Sequence, residues 1–467
     1  MKKIIIFALV LALAVPTAAL AATEFSLGGY IKLDTFWDST QTYKGDDIIA
    51  RNNDPSNQHG RLKFTAQESR FNFTIKGPKL WGATTTGFIE IDFDRTETGL
   101  VYPGTANGIA KSASGSYTPG LRHAMFRLNW PETELLFGQY WSMLCEWWPE
   151  VAESGPFQVT GIPTARLAQV RVTQKFAGAW TASLLVGEAN SASGNRVFGT
   201  DTATRGDRVG AESGEMPQVQ AKIQYQQDLW GKAAYYGKPT PFTAQIVGGF
   251  QRNVFSPTTG DTVATVNAFG EDGFNNVGAA ARITHNTYVY PWIVMATAFV
   301  PVIPTHSANL AGTASLMTQW YIGQGVEAFG FAGVASNLYK WNATYWEPEL
   351  FKRFGGYVQG QYYFTNQWFL TAAYAMSRGF GVSPGQTDPT SPAVGGRAYG
   401  ITGSDLFSYQ HQVDLCLWYR PIQALKFGLE YFYKRTNYLQ NLTPAGATGI
   451  SKFGDDHRVE FVGYFFF

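Results

Sequence analysis

The stretch that decides the fold is the last one, Val459-Glu460-Phe461-Val462-Gly463-Tyr464-Phe465-Phe466-Phe467. Apolar side chains at 459, 461, 465 and 467 share one face of an extended chain, and Glu460 points to the other. In water, three consecutive phenylalanines at a free terminus would form an exposed adhesive patch. In a bilayer-embedded barrel the same residues face lipid or sit in an interfacial aromatic girdle, so the segment predicts a final membrane strand.

The opposite end predicts export. Lys2 and Lys3 form a basic start, Ile4 to Val15 an apolar run, and Pro16 with Ala19-Leu20-Ala21 a small-residue cleavage site. An apolar run of about a dozen residues is too short to span a bilayer, which needs roughly 20. Residues 1–21 are therefore expected to be a removed signal peptide and 22–467 a single barrel domain. Loss of Lys2 and Lys3 leaves acids and bases nearly equal, so bulk charge does not favour nucleic acid as a partner.

Composition agrees with a barrel. Aromatic residues make up 15% of the chain, with 50 Gly, and suit twisted strands, tight turns and interfacial belts. Beyond the leader no run approaches the roughly 20 apolar residues of a membrane helix, and only helices and closed barrels satisfy their backbone groups in lipid. Period-two alternation recurs throughout. Phe25, Leu27, Ile31, Leu33 and Trp37 oppose Ser26, Gly28, Lys32 and Asp34; Leu425, Phe427, Leu429, Tyr431 and Tyr433 oppose Lys426, Glu430 and Lys434.

Connections alternate between short and long. Gly77-Pro78-Lys79, Pro131-Glu132-Thr133, Thr365-Asn366-Gln367 and Pro421-Ile422-Gln423 read as tight turns. Ser39 to Gly60, Arg95 to Pro119, Glu188 to Glu215, Arg378 to Ser404 and Thr436 to Gly454 read as long polar loops. This is the arrangement of bacterial outer-membrane barrels. The expected fold is all-β, a transmembrane antiparallel barrel of about 18 strands, or about 16 if both candidate strands in Ala308 to Tyr345 are loop. Cys145 and Cys416 fall in a loop and a strand, and no disulfide is expected between them.

Trp141 to Gln169 is unlike the other loops. Trp147, Trp148 and Pro149 give it bulk and stiffness, while Glu146, Glu150, Glu153 and Arg166 give it charge. It is expected to fold into the barrel as the third long connection and narrow the pore, the alternative being a surface loop or subunit contact. With the less apolar face of each strand taken as inward, Arg127, Arg171, Lys175, Arg282 and Arg353 join Glu146, Glu150 and Glu153 as pore-lining candidates. Lys222, Lys426 and Arg458 share that face with Asp34, Glu90, Asp92, Asp94, Asp414, Glu430 and Glu460, so no ring of one sign is expected. Arg70 is also a candidate, on a strand whose apolar phase changes between Leu62-Phe64-Ala66 and Phe71-Phe73-Ile75, which predicts a bulge.

No catalytic constellation is visible, and the chain is not expected to be an enzyme. The six histidines stand singly, without metal-ligand spacing, and there is no Gly-x-Ser-x-Gly elbow or Cys-x-x-Cys-His haem motif. No cofactor is expected.

Three segments in the first third carry a resemblance: Gly28-Gly29-Tyr30-Ile31-Lys32-Leu33-Asp34, Gln67-Glu68-Ser69-Arg70-Phe71-Asn72-Phe73, and Phe137-Gly138-Gln139-Tyr140-Trp141-Ser142. In that order they resemble the DcaP-like outer-membrane channels, and the final residues resemble the carboxy-terminal signature by which outer-membrane barrels are recognised for assembly. The resemblance implies a homotrimer in the outer membrane of a Gram-negative-type bacterium, in contact with lipid and passing small hydrophilic solutes, small anions such as dicarboxylates among them. The chain departs from that pattern in lacking a coiled-coil-like segment before the barrel and in its Trp- and Glu-rich third loop. A non-specific general porin, or a barrel serving as a sheath or adhesin, stands as the alternative.

Overall fold

The computed structural model describes residues 23–467 apart from 41, 44–47, 50–51, 53–58, 96–117, 153–154, 156, 190–215, 256–286, 332–336, 342–345, 382–398, 401–406 and 443–450. The expected signal peptide, Arg282 and Glu153 lie outside the described residues, as does the side chain of Asp94.

One antiparallel sheet closes on itself. Its strands are β1 (Glu24–Asp38), β2 (Arg61–Thr65, continued as Arg70–Lys76), β3 (Thr84–Arg95), β4 (Thr118–Asn129), β5 (Thr133–Trp141), β6 (Arg166–Phe176), β7 (Trp180–Gly187) and β8 (Gln218–Gln227). The circuit continues through β9 (Phe242–Phe250), β10 (Trp292–Ile303), β11 (Ala314–Gln324), β12 (Lys352–Tyr363), β13 (Trp368–Phe380), β14 (Phe407–Ile422), β15 (Leu425–Leu442) and β16 (Ser451–Phe466). The two halves of β2 are one strand, because Asp34 pairs with Thr65 and Tyr30 with Arg70, which leaves one extra residue on β2. That is the bulge the phase change predicts.

Closure joins β1 to β16 from Tyr30 and Phe466 to Asp38 and Arg458. Gly29 and Phe467 then exchange backbone hydrogen bonds of 3.2 Å each way. Glycine is required at 29: its φ is +147°, and a Cβ there would stand 2.1 Å from the Arg70 carbonyl oxygen.

Burial is inverted relative to a water-soluble sandwich. On β16 the polar Arg458 and Glu460 are 1% and 0% exposed, whereas Val459 and Phe461 are each 45% exposed. The same alternation separates Leu415 and Leu417 from Asp414 and Cys416 on β14. Outward apolar side chains therefore form the lipid-facing band of a transmembrane barrel, with polar side chains inside. Exposed aromatics gather at its two rims: Trp81, Trp180, Trp230 and Trp368 near the short turns, and Trp37, Tyr288, Tyr290 and Trp292 near the long loops. Among the described residues no helix is long and apolar enough to cross a membrane.

There are 16 wall strands among the described residues, within the expected 16 to 18. The structure corrects two expectations. Within Ala308 to Tyr345, Ala314–Gln324 is a wall strand; only Asn337–Trp341 lies off the wall, in a small sheet with Trp346–Leu350 and Tyr399–Gly400. Thr436 and Gly454 are not loop ends but paired residues within β15 and β16, which extend past the expected membrane segment. Cys145 and Cys416 are both free and buried.

Substituting Gly29→Val should lower the yield of folded barrel several-fold, because Cβ collides with the Arg70 backbone of β2. The check is the fraction of protein that migrates as the compact form on an unheated gel.

Candidate functional site

The loop between β5 and β6 is built from its acids and aromatics. Ser142 caps a short 3₁₀ turn, Met143–Cys145, by accepting a 3.2 Å hydrogen bond from the Leu144 N–H. The Met143 N–H donates to Gln220 Oε1 on β8 at 2.9 Å. The Glu146 carboxylate then meets Lys222 Nζ of β8 at 2.5 Å and Arg171 of β6 at 3.3 Å. Cys145 is a packing residue here: burial pushes its thiol up to about 12, far from a reactive thiolate.

The chain next reaches strands on the far side of the circuit. Glu150, only 3% exposed, takes a 2.6 Å ion pair from Lys426 on β15 and a 2.6 Å hydrogen bond from Gln361 on β12. Its carbonyl accepts from Thr371 of β13 at 2.9 Å. The Ala152 N–H donates to Glu430 on β15, and its carbonyl accepts from Lys32 on β1. A single helical turn, α1 (Phe157–Thr160), follows, with Phe157 against Tyr357 and the Thr160 hydroxyl donating to Gln412. Gly161 lies directly on wall backbone, where an added Cβ would be 3.0 Å from the Gly356 carbonyl. The loop return is held by the Thr164 N–H on the Gly330 carbonyl at 2.8 Å. Every wall side chain named in this path is inward-facing.

Facing the loop's near end, strands β2 to β6 carry arginines interleaved with aromatic rings. Tyr140 lies between Arg127 and Arg171, whose guanidinium carbons are 4.8 and 5.6 Å from its centroid. Trp141 lies between Arg122 at 5.6 Å and Arg166 at 5.1 Å, and Arg70 sits over Tyr30 at 5.3 Å. His123 packs 4.7 Å from Tyr140 and 5.3 Å from Trp141. Acids run alongside: Arg122 pairs with Glu90 at 3.0 Å and with Asp92, and Glu134 lies 3.7 Å from Arg127 and 3.9 Å from Arg171. The Nε atoms of Arg70, Arg127 and Arg171 nevertheless have no hydrogen-bond partner. Across β14 to β1 the inner wall carries Asp414, Glu430, Glu460 and Asp34 among Lys434, Arg458 and Lys32. Signs are mixed on both walls, as the sequence predicts.

Of the predicted residues, Arg70, Arg127, Arg171 and Glu146 come together on this wall, while Glu150 pins the loop on the opposite side. Two predicted residues are elsewhere. Lys175 is exposed near the turn end of β6. Arg353, at the start of β12, is fully buried, donating to Ser377 at 3.3 Å with its guanidinium 4.9 Å from Phe351. Arg122 escapes a strict reading of alternation. Glu90 pairs with His123 and Ile91 with Leu121, so Arg122 is the extra residue of a bulge and turns to the same face as Arg127.

Glu150→Gln should cost the barrel about 3–5 kcal/mol, since it leaves the buried Lys426 ammonium without a countercharge. Combining it with Lys426→Met should restore most of the loss, read as the temperature at which the compact form disappears.

No family model matches the chain, and no curated protein matches it in sequence. Solved structures do match. The outer membrane channel DcaP of Acinetobacter baumannii superposes with a TM-score of 0.60 at 17% identity, covering 96% of this chain and 98% of that one. An anion-selective porin from Comamonas acidovorans gives 0.49 at 10% identity, covering 96% and 100%, and Salmonella typhi OmpF 0.48 at 13%, covering 94% and 97%. The chain thus has the fold of the DcaP outer membrane channel, along nearly the whole length of both proteins.

Proposed function

We propose that this protein is an outer-membrane porin through which small hydrophilic solutes diffuse down their gradients, with small anions such as dicarboxylates favoured. The observation that carries the anion preference is the wall of interleaved arginines and rings, in which three guanidinium Nε–H groups lack a partner. Guanidinium groups bind carboxylate in a planar, two-point fashion, and a low-dielectric constriction strengthens the attraction. The loop between β5 and β6 supplies the constriction: its two acidic anchors, Glu146 and Glu150, reach opposite walls, so it divides the polar lumen. Selection then follows from pore diameter and wall charge, with no cofactor and no turnover.

The chain is taken to reach the outer membrane by way of its leader and to work there as a homotrimer surrounded by lipid, as its resemblance to the DcaP-like channels implies. Glu90, Asp92, Glu134 and Glu146 beside the arginines favour a second reading, a general porin with little selectivity.

Reconstituted protein alone should conduct in defined steps and show an anion-favouring reversal potential. Arg127→Ala with Arg171→Ala should move that potential toward cations and weaken block by a small dicarboxylate. The shift should shrink at 1 M salt, where screening acts over about 3 Å. A reversal potential near zero in the unaltered protein supports the general-porin reading, and absence of conductance from folded barrel removes the channel reading.

A further inference from the structure

Most connections at the turn end are minimal: residues 130–132, 177–179, 364–367 and 423–424 suffice to reverse the chain. The one between β8 and β9 is different. Residues 228–241 form their own hairpin, Ala233–Tyr235 paired with Lys238–Thr240. Its base is tied to the next turn by reciprocal backbone hydrogen bonds between Lys232 and Thr305 of 2.8 and 2.7 Å, and by the Trp230 indole on the Pro301 carbonyl at 2.7 Å. The hairpin then enters the lumen, since Ala233 and Ala234 are fully buried and the Ala234 carbonyl accepts from the inward Ser315 at 3.1 Å.

Its tip meets the loop between β5 and β6. Tyr235 OH accepts the Trp148 N–H at 3.1 Å and lies 3.4 Å from the Trp148 carbonyl, to which it donates. Tyr236 OH donates to the Pro149 carbonyl at 2.9 Å. The Tyr235 ring packs 4.8 Å from that of Trp147 and 5.8 Å from that of Phe299. The contacts with the loop all fall between its two acidic anchors, Glu146 and Glu150. The turn itself is strained: Tyr236 and Gly237 have φ of 48° and 72°, the paired left-handed geometry of a two-residue hairpin, which a bulky ring adopts rarely. Such strain persists only where its surroundings hold it.

The geometry points to Tyr235 and Tyr236 as positioning residues: the 228–241 hairpin is a second in-folded element, entering from the turn end, that clamps the Trp147-Trp148-Pro149 segment and fixes where the constriction lies. This rests on the reading that the loop between β5 and β6 narrows the pore. With the segment clamped, partly water-exposed inward side chains lie along β3 to β5, Glu90, Arg127, Glu134 and Tyr140 among them. With the clamp released, the Trp147-Trp148-Pro149 segment keeps its ends at Glu146 and Glu150 and the Tyr357 hydroxyl on the Trp147 carbonyl at 3.3 Å, but Trp148 and Pro149 lose their tyrosine contacts and can move across the passage.

The experiment compares single-channel records of unaltered protein, Tyr235→Phe with Tyr236→Phe, and a variant in which residues 229–240 are replaced by Asn-Gly. The unaltered protein must conduct; if it does not, the channel reading fails before the clamp is tested. The double Phe variant loses only hydroxyl groups, so it should form compact barrel in normal yield. It should show closures several-fold more frequent and a noisier open level, with the hairpin replacement showing the same change more strongly. A merely structural hairpin would alter barrel yield and leave the open level quiet. Open levels and closure rates equal to those of the unaltered protein in the folded double variant overturn the proposal, even if the hairpin replacement fails to fold.

Discussion

Everything in this molecule depends on the absence of water at the mid-depth of a bilayer. Each backbone N–H and C=O there must find a partner within the protein, and an open sheet edge would leave a row of them unmet. The chain answers by bringing β16 back against β1, so that its first and last strands complete the ladder they would each otherwise leave open. Closure is thus a long-range condition. A register error anywhere around the circuit accumulates at that seam, while on the other side of β1 Gly29 lies so close to the Arg70 carbonyl of β2 that no side chain fits.

Closing the wall creates a second problem, a polar interior too wide for wall side chains to fill. On the proposed reading segments from both ends occupy it, and the ion pair that fixes the loop between β5 and β6 at Glu150 is buried. Lys426 has Glu150 at 2.6 Å and the face of Trp418 at 3.6 Å. Removing one partner from such a pair is costly because the other remains desolvated. The β10 to β15 side is packed with rings and aliphatic groups around Phe157, Tyr357 and Phe299, and partly exposed inward polar side chains lie along β3 to β5 and on β8.

The wall was legible in the sequence because alternation is a local property: it survives without knowledge of what a strand pairs with. Long loops and the unusual β5 to β6 connection were legible for the same reason, through composition. Sequence reasoning faltered where local pattern and tertiary role separate. Asn337–Trp341 alternates like a wall strand but pairs outside the wall. Arg122 lies one residue out of phase because a bulge is a property of two strands, not one. The hairpin at 228–241 left a faint trace, Tyr236-Gly237 at the centre of a turn longer than most at its end, which marks a left-handed pair without saying where the hairpin goes.

The inside-out alternation has a consequence at an earlier stage in the life of the chain. Because most strands alternate polar with apolar residues, no apolar run in the wall reaches the length of a membrane helix; even β10, apolar on both faces, spans 12 residues, and the mean hydropathy is −0.14. An inner-membrane translocation machine that releases long apolar segments sideways into lipid finds nothing here to release, since it responds to roughly 20 such residues in succession. The pattern that faces lipid when folded is thus invisible to lipid while the polypeptide is unfolded and in transit.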